Sequence, residues 1–138
     1  MFKRILLAVD GSEHSIKATE YSIKLAQKFD SAIDAVYVVD ESTAKKDALH
    51  SNNQFEIERK RKEKIRPIRE RLDESKIIFG THILHGDPGP TIVKFANERA
   101  FDCVVIGSRG LNQLQTLILG SVSHKVAKRA NCPVLIIK

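Results

Sequence analysis

Cys103-Val-Val-Ile-Gly-Ser-Arg-Gly110, then nine residues, then Gly120-Ser-Val-Ser123, is the stretch that decides how this chain is read. The run Cys103–Ile106 is apolar and of strand length. Ser121 to Ala130 places Val122, Val126 and Ala130 at i, i+4 and i+8, a helical stripe. A strand therefore ends in glycines and gives way to a helix beginning at Gly120-Ser121. Glycines let backbone approach closely, and a helix start offers N–H groups without intrahelical partners. Together they make a site for an anion, most naturally a phosphate chain.

Working outward, the same alternation recurs. Ile5–Val9 is a continuous apolar run that stops at Asp10-Gly11-Ser12, and Ser12 is suited to cap a helix reaching Phe29. Ile16, Ile23 and Ala26 form one stripe of that helix, with Ala18, Leu25 and Phe29 beside it. Ala32–Val39 reads as a second strand. Residues 41–54 are polar and without period, which predicts a loop. A helix is expected from Gln54 to Asp73, with Ile65, Ile68 and Leu72 inward and a kink or break near Glu63–Arg66 caused by Pro67. Lys76–His85 is β-rich. Asp87 and Pro88 mark a helix start, with the body of that helix at Thr91–Ala100. Asp102–Ile106 and Pro133–Ile137 complete the strands.

The order β-α-β-α-β-α-β-α-β implies a parallel, doubly wound α/β sheet with helices on both faces, in a single domain over residues 1–138. In such sheets ligands sit beyond the carboxyl ends of the strands, where strand order reverses. If the first and fourth strands are neighbours there, Asp10-Gly11-Ser12 faces Gly107–Gly110 across one crevice.

Composition excludes several classes. The 138 residues are 42% hydrophobic and 29% charged, as in a globular domain. No apolar run approaches the ~20 residues of a membrane span, and Met1–Asp10 lacks the features of a signal peptide, so a cytoplasmic protein is expected. Cys103 and Cys132 fit no metal or CxxC spacing and read as small buried hydrophobes of a reducing compartment. Much of the net charge of +6 lies in Glu56–Arg71, where eight bases face four acids. Those acids lie within helical reach of the bases and aromatics are not interleaved, which favours a solvated helix face over a nucleic-acid patch. His82 and His85 are three apart near a strand and make a poor metal pair; His14 and His124 near helix starts add little. There is no P-loop, no Gly-x-Gly-x-x-Gly, no nucleophile elbow and no convincing general base.

Asp10-Gly-Ser12 after the opening strand, Gly107-x-x-Gly110, Gly120-Ser121, the Asp87-Pro88 pair and the terminal Asn131-Cys-Pro-Val-Leu-Ile-Ile137 resemble the universal stress protein family over the whole chain. The glycine spacing is the pattern of its ATP-binding branch. The resemblance implies a flavodoxin-like, adenine nucleotide alpha hydrolase-like fold of strand order 3-2-1-4-5, a homodimer through the last strand, and ATP at the switch point. It also implies site residues. Asp10, with Gly11 and Ser12, and the backbone of Val39 would meet the adenine end. Gly107, Arg109 and Gly110 would line ribose and phosphates, while Gly120, Ser121, Val122 and Ser123 would hold the phosphate chain. Mg²⁺ or Mn²⁺, if bound, would be held mainly by the phosphates. Hydrolysis should be slow at most. A nucleotide-independent dimeric scaffold is the alternative. The apolar segment Leu111–Leu119 is expected either to close over the phosphates or to pack permanently as a short helix.

Overall fold

The computed structural model describes residues 2–51, 53–110 and 119–138. Strands β1 (Arg4–Val9), β2 (Ala32–Val39), β3 (Phe79–His85), β4 (Cys103–Gly107) and β5 (Val134–Ile137) form one sheet. Its order is β3-β2-β1-β4-β5 with every pairing parallel, so the switch point falls between β1 and β4. Helices α1 (Glu13–Phe29), α2 (Glu41–His50), α3 (Gln54–Glu74), α4 (Pro88–Glu98) and α5 (Ser121–Arg129) connect the strands.

Alternation along β1 builds two cores. Ile5, Leu7 and Val9 join Ala18, Ala26, Ile65, Ile68 and Leu72 beneath α1 and α3. Leu6 and Ala8 point the other way, to Ile92, Phe95, Ala96 and Val126 of α4 and α5. Because Ile5–Val9 of β1 are covered on both faces, those five side chains are apolar without a break, and each large one contributes about 2 kcal/mol through burial.

Three expectations are corrected. Residues 41–54 are not a loop throughout: Asp40 caps α2, accepting from the Thr43 N–H at 2.7 Å. Helix α2 buries none of its residues, so no apolar stripe marks it. Pro67 does not break α3, which runs on as one helix. The ring sits on the exposed side of the helix, where the carbonyl left without a partner can meet water. Finally, Ala18 and Ala26 of α1 are buried as expected, but the rest of its inner face is Ser15, Thr19 and Ser22, while Ile16 and Ile23 pack at its margin. Small residues bring α1 close to the sheet, and the hydroxyls of Ser15 and Thr19 donate to the carbonyls of Ser12 and Ser15. Helix α4 begins at Pro88 with Asp87 in its N-cap position, the start that this pair of residues marks in the sequence.

Candidate functional site

Beyond the carboxyl ends of β1 and β4 lies a cleft of about 490 Å³, a volume suited to a small organic ligand. Its floor and walls come from Ala8, Val9, Tyr37, Val38, Ile92 and Ile106; its polar lining includes Asp10, Asp40, Thr43, Lys64, Asp87, Arg109, Ser121 and Ser123. The turns after β1 and β4 do face each other. A Cβ added to Gly110 would collide with the Asp10 carboxylate, so glycine there lets the two turns meet. Asp10 also accepts from the Ser12 N–H at 2.9 Å, which fixes its carboxyl at the edge of the cleft.

Of the residues expected in the site, Asp10, Gly107, Arg109, Gly110, Gly120, Ser121, Val122 and Ser123 line this cleft. Gly11, Ser12 and Val39 stand behind it. Gly11 takes φ +83°, a conformation suited to glycine, and turns the chain under Lys64. Ser12 is buried and its hydroxyl caps α1 by accepting from the Ser15 N–H. The Val39 side chain is in the core and its carbonyl accepts from the Gly86 N–H at 3.1 Å, while Val38 faces the cleft.

Helix α5 opens onto the cleft without a side-chain cap. Its N-cap residue, Gly120, donates its own N–H to the Ser108 carbonyl at 2.7 Å, and the Ser123 hydroxyl donates to the same carbonyl at 3.0 Å. Those bonds fasten the first turn of α5 to the turn after β4. The N–H groups of Ser121, Val122 and Ser123 are the first three of the helix, and they carry its partial positive charge of about +0.5 toward the cleft. Gly107 serves packing: an added Cβ would lie 2.7 Å from the Cβ of His14 and 3.1 Å from its carbonyl carbon.

Three contributors were not singled out in the sequence. Thr43 and Asp40 come from the start of α2, and the pattern Asp40-x-x-Thr43 after a strand was the available sign of a cap. The Thr43 N–H and hydroxyl beside it, helped by Lys46 and Lys64, hold the Asp40 carboxyl below its usual range. Lys64 arrives from the basic run of α3, and its ammonium stands 5.4 Å from the centre of the Tyr37 ring. Nothing local in the sequence distinguishes it from its solvated neighbours. The segment 111–118 lies outside the described residues, and with it most of the expectation for Leu111–Leu119.

The sequence profile of the universal stress protein family matches residues 1–138. The chain belongs to the universal stress protein family. A universal stress protein of Methanocaldococcus jannaschii is 32% identical over all of this chain and 83% of its own length. Universal stress protein YxiE of Bacillus subtilis is 30% identical over the full length of both. Among solved structures, the M. jannaschii protein MJ0577 superposes with a TM-score of 0.87 at 28% identity, covering 100% of this chain and 96% of its own. Two more distant members share the fold: a universal stress protein in complex with cAMP (TM-score 0.72, 22% identity, covering 99% and 96%) and an Arabidopsis thaliana protein with AMP bound (0.71, 22%, covering 99% and 91%).

Proposed function

We propose that this universal stress protein is a regulatory module that binds ATP in the cleft between the β1 and β4 turns. The observation that carries this reading is the uncapped start of α5 opening on that cleft. A triphosphate of about four negative charges needs several donors at once, and three helix N–H groups, the Ser121 hydroxyl and Arg109 offer such a complement. The cAMP and AMP complexes of relatives with this fold support an adenine nucleotide as the ligand class. The remainder of the cleft suits the nucleoside, with Tyr37, Val38 and Ile92 for apolar contact and Asp10, Thr43 and Lys64 for polar contact. A Mg²⁺ or Mn²⁺ ion would travel on the phosphates.

Hydrolysis would be slow, because Asp10 and Asp40 are each held by a backbone N–H, of Ser12 and Thr43, and no histidine is among the described residues that line the cleft. A general base needs a carboxylate or imidazole poised on the attacking water. The protein would then act by presenting different surfaces with and without nucleotide, in the cytoplasm, as a homodimer. Strand β5 supports the last point. It is an edge strand of Val134-Leu-Ile-Ile137 with Leu135 38% exposed, and antiparallel pairing with a second copy would satisfy its open backbone groups.

Calorimetric titration of ATP and AMP, with mass spectrometry of any ligand released on denaturation, tests the reading. Saturable one-site binding of ATP is expected. No binding of either nucleotide by the folded protein would overturn it and leave the nucleotide-independent scaffold. A monomer by light scattering at micromolar concentration would remove the dimer alone.

A further inference from the structure

Helix α4 starts in an unusual way. Asp87 occupies its N-cap position, the place where a carboxylate ordinarily accepts from the helix's own N–H groups, yet it makes no such bond. The reason is in the next three residues: Pro88 and Pro90 have no N–H, so Pro88-Gly-Pro90 gives a cap little to hold. The Asp87 carboxylate is thereby released to line the cleft. Its cationic neighbour is Lys125 of α5, at 3.9 Å.

Lys125 lies four residues after Ser121, on the same face of α5 and one turn, about 6 Å, further along its axis. Side chains of a helix lean toward its N-terminus, so the Lys125 stem runs back toward Ser121 and the open N–H groups. Gly89 makes room for it: a Cβ there would sit 2.8 Å from Lys125 Cδ and 3.1 Å from its Cβ. The stem is thus laid across the start of α4, with a partly exposed ammonium at its end. The pair with Asp87 is long and exposed, the side chains being 42% and 66% accessible, and such a pair is weak and readily exchanged.

We infer that Lys125 reads how many phosphates the bound nucleotide carries. This rests on the nucleotide reading of the cleft. With the cleft empty or filled by a monophosphate, Lys125 stays on Asp87. A phosphate chain that extends past Ser121 supplies a dianionic end group, a stronger partner than the Asp87 carboxylate, and Lys125 moves to it. Asp87 is left unpaired beside the phosphates and opposes them, so the pair works as a threshold: it favours the triphosphate through Lys125 and restrains it through Asp87. Lys125 and Asp87 are specificity-determining residues, and neither touches the nucleoside.

The test compares dissociation constants for ATP and AMP, by calorimetry, in the wild type and in Lys125→Gln, Lys125→Arg and Asp87→Asn. Lys125→Gln should lose about tenfold in ATP affinity, the scale of one charge-assisted contact, with AMP affinity changed less than about twofold. Lys125→Arg should restore most of the loss, and Asp87→Asn should bind ATP about threefold more tightly. The AMP constant doubles as a check that each variant is folded. An unchanged ratio of ATP to AMP affinity in Lys125→Gln, or an equal loss for both nucleotides, overturns the role of Lys125 while leaving the nucleotide site in place. Failure of the wild type to bind either nucleotide overturns the site and this inference together.

Discussion

Helices α1, α2 and α3 each begin with a side chain bonded back to their own first turn: Ser12 to the Ser15 N–H, Asp40 to the Thr43 N–H, Asn53 to the Glu56 N–H. Helices α4 and α5 begin with no such bond, and both abut the cleft. The first group is internally complete. In the second, α4 has prolines where donors would be, and α5 has glycine where a cap would be. A cap contributes about 1 kcal/mol, so leaving α5 uncapped gives up stability at a helix start that borders the cleft. The contrast separates helix ends closed by their own side chains from a helix end that the proposed nucleotide would close.

The sharpest way to break this contrast is to give α5 the cap it lacks. Gly120 has φ −66° and ψ 161°, an extended conformation usual at an N-cap, and a Cβ there would stand 3.3 Å from the Ser108 carbonyl oxygen, a contact that takes back part of what a cap gains. Gly120→Asp should raise stability by about 0.5 kcal/mol. The same carboxylate beside the phosphates should lower ATP affinity on the order of a hundredfold. Calorimetry and thermal melts on one sample would show the two effects in opposite directions; a variant that melts higher and binds ATP like the wild type would refute the account of α5.

Next in size is Gly107→Ala, which tests packing rather than binding. The new methyl would meet His14 Cβ and backbone, and overpacking of this kind costs about 2 kcal/mol. Urea unfolding should show that loss at unchanged slope.

The smallest effect concerns the capped side. Hydrogen bonding from Thr43 lowers the folded-state pKa of Asp40 beneath its ordinary 3.8, so the carboxylate is favoured by folding. Its contribution is complete above that ordinary value and is lost as pH falls through the lowered one. Hydrogen-exchange protection in the first turn of α2 should therefore weaken below about pH 4, while α5, without a titratable cap, should not respond in this way. Asp40→Asn, which caps at any pH, should abolish the dependence.

Much of this was legible in the chain. Strands β1, β4 and β5 were marked by continuous apolar runs, because both faces of a parallel sheet are covered, whereas β3 showed only a β-rich composition, and Ser12 announced α1 because capping is local chemistry. Asp10-Gly-Ser and Gly107-x-x-Gly110 pointed to facing turns because a strand end followed by glycine is itself a geometric statement. What escaped was decided by tertiary neighbours. Helix α2 buries nothing, so burial leaves no period in its sequence. The inner face of α1 is Ser, Ala and Thr, whose selection by close approach to the sheet does not register as hydrophobicity. Lys64 enters the cleft because α3 crosses the Gly11 turn, which the charge pattern of α3 does not encode.

The pairing of β1 on both sides has a kinetic consequence. Ile5 is opposite Ile33 on one side and Cys103 on the other, and the Arg4 N–H reaches the Asp102 carboxylate, 98 residues away. Closing the shorter loop costs less chain entropy, by roughly 0.6 kcal/mol for each halving of its length. The β1–β2–β3 half can therefore assemble early, with β4 and β5 docking afterwards onto the free edge of β1. The cleft straddles that seam and exists only when the second docking is complete. In refolding experiments, the proposed nucleotide binding should be among the last properties to return.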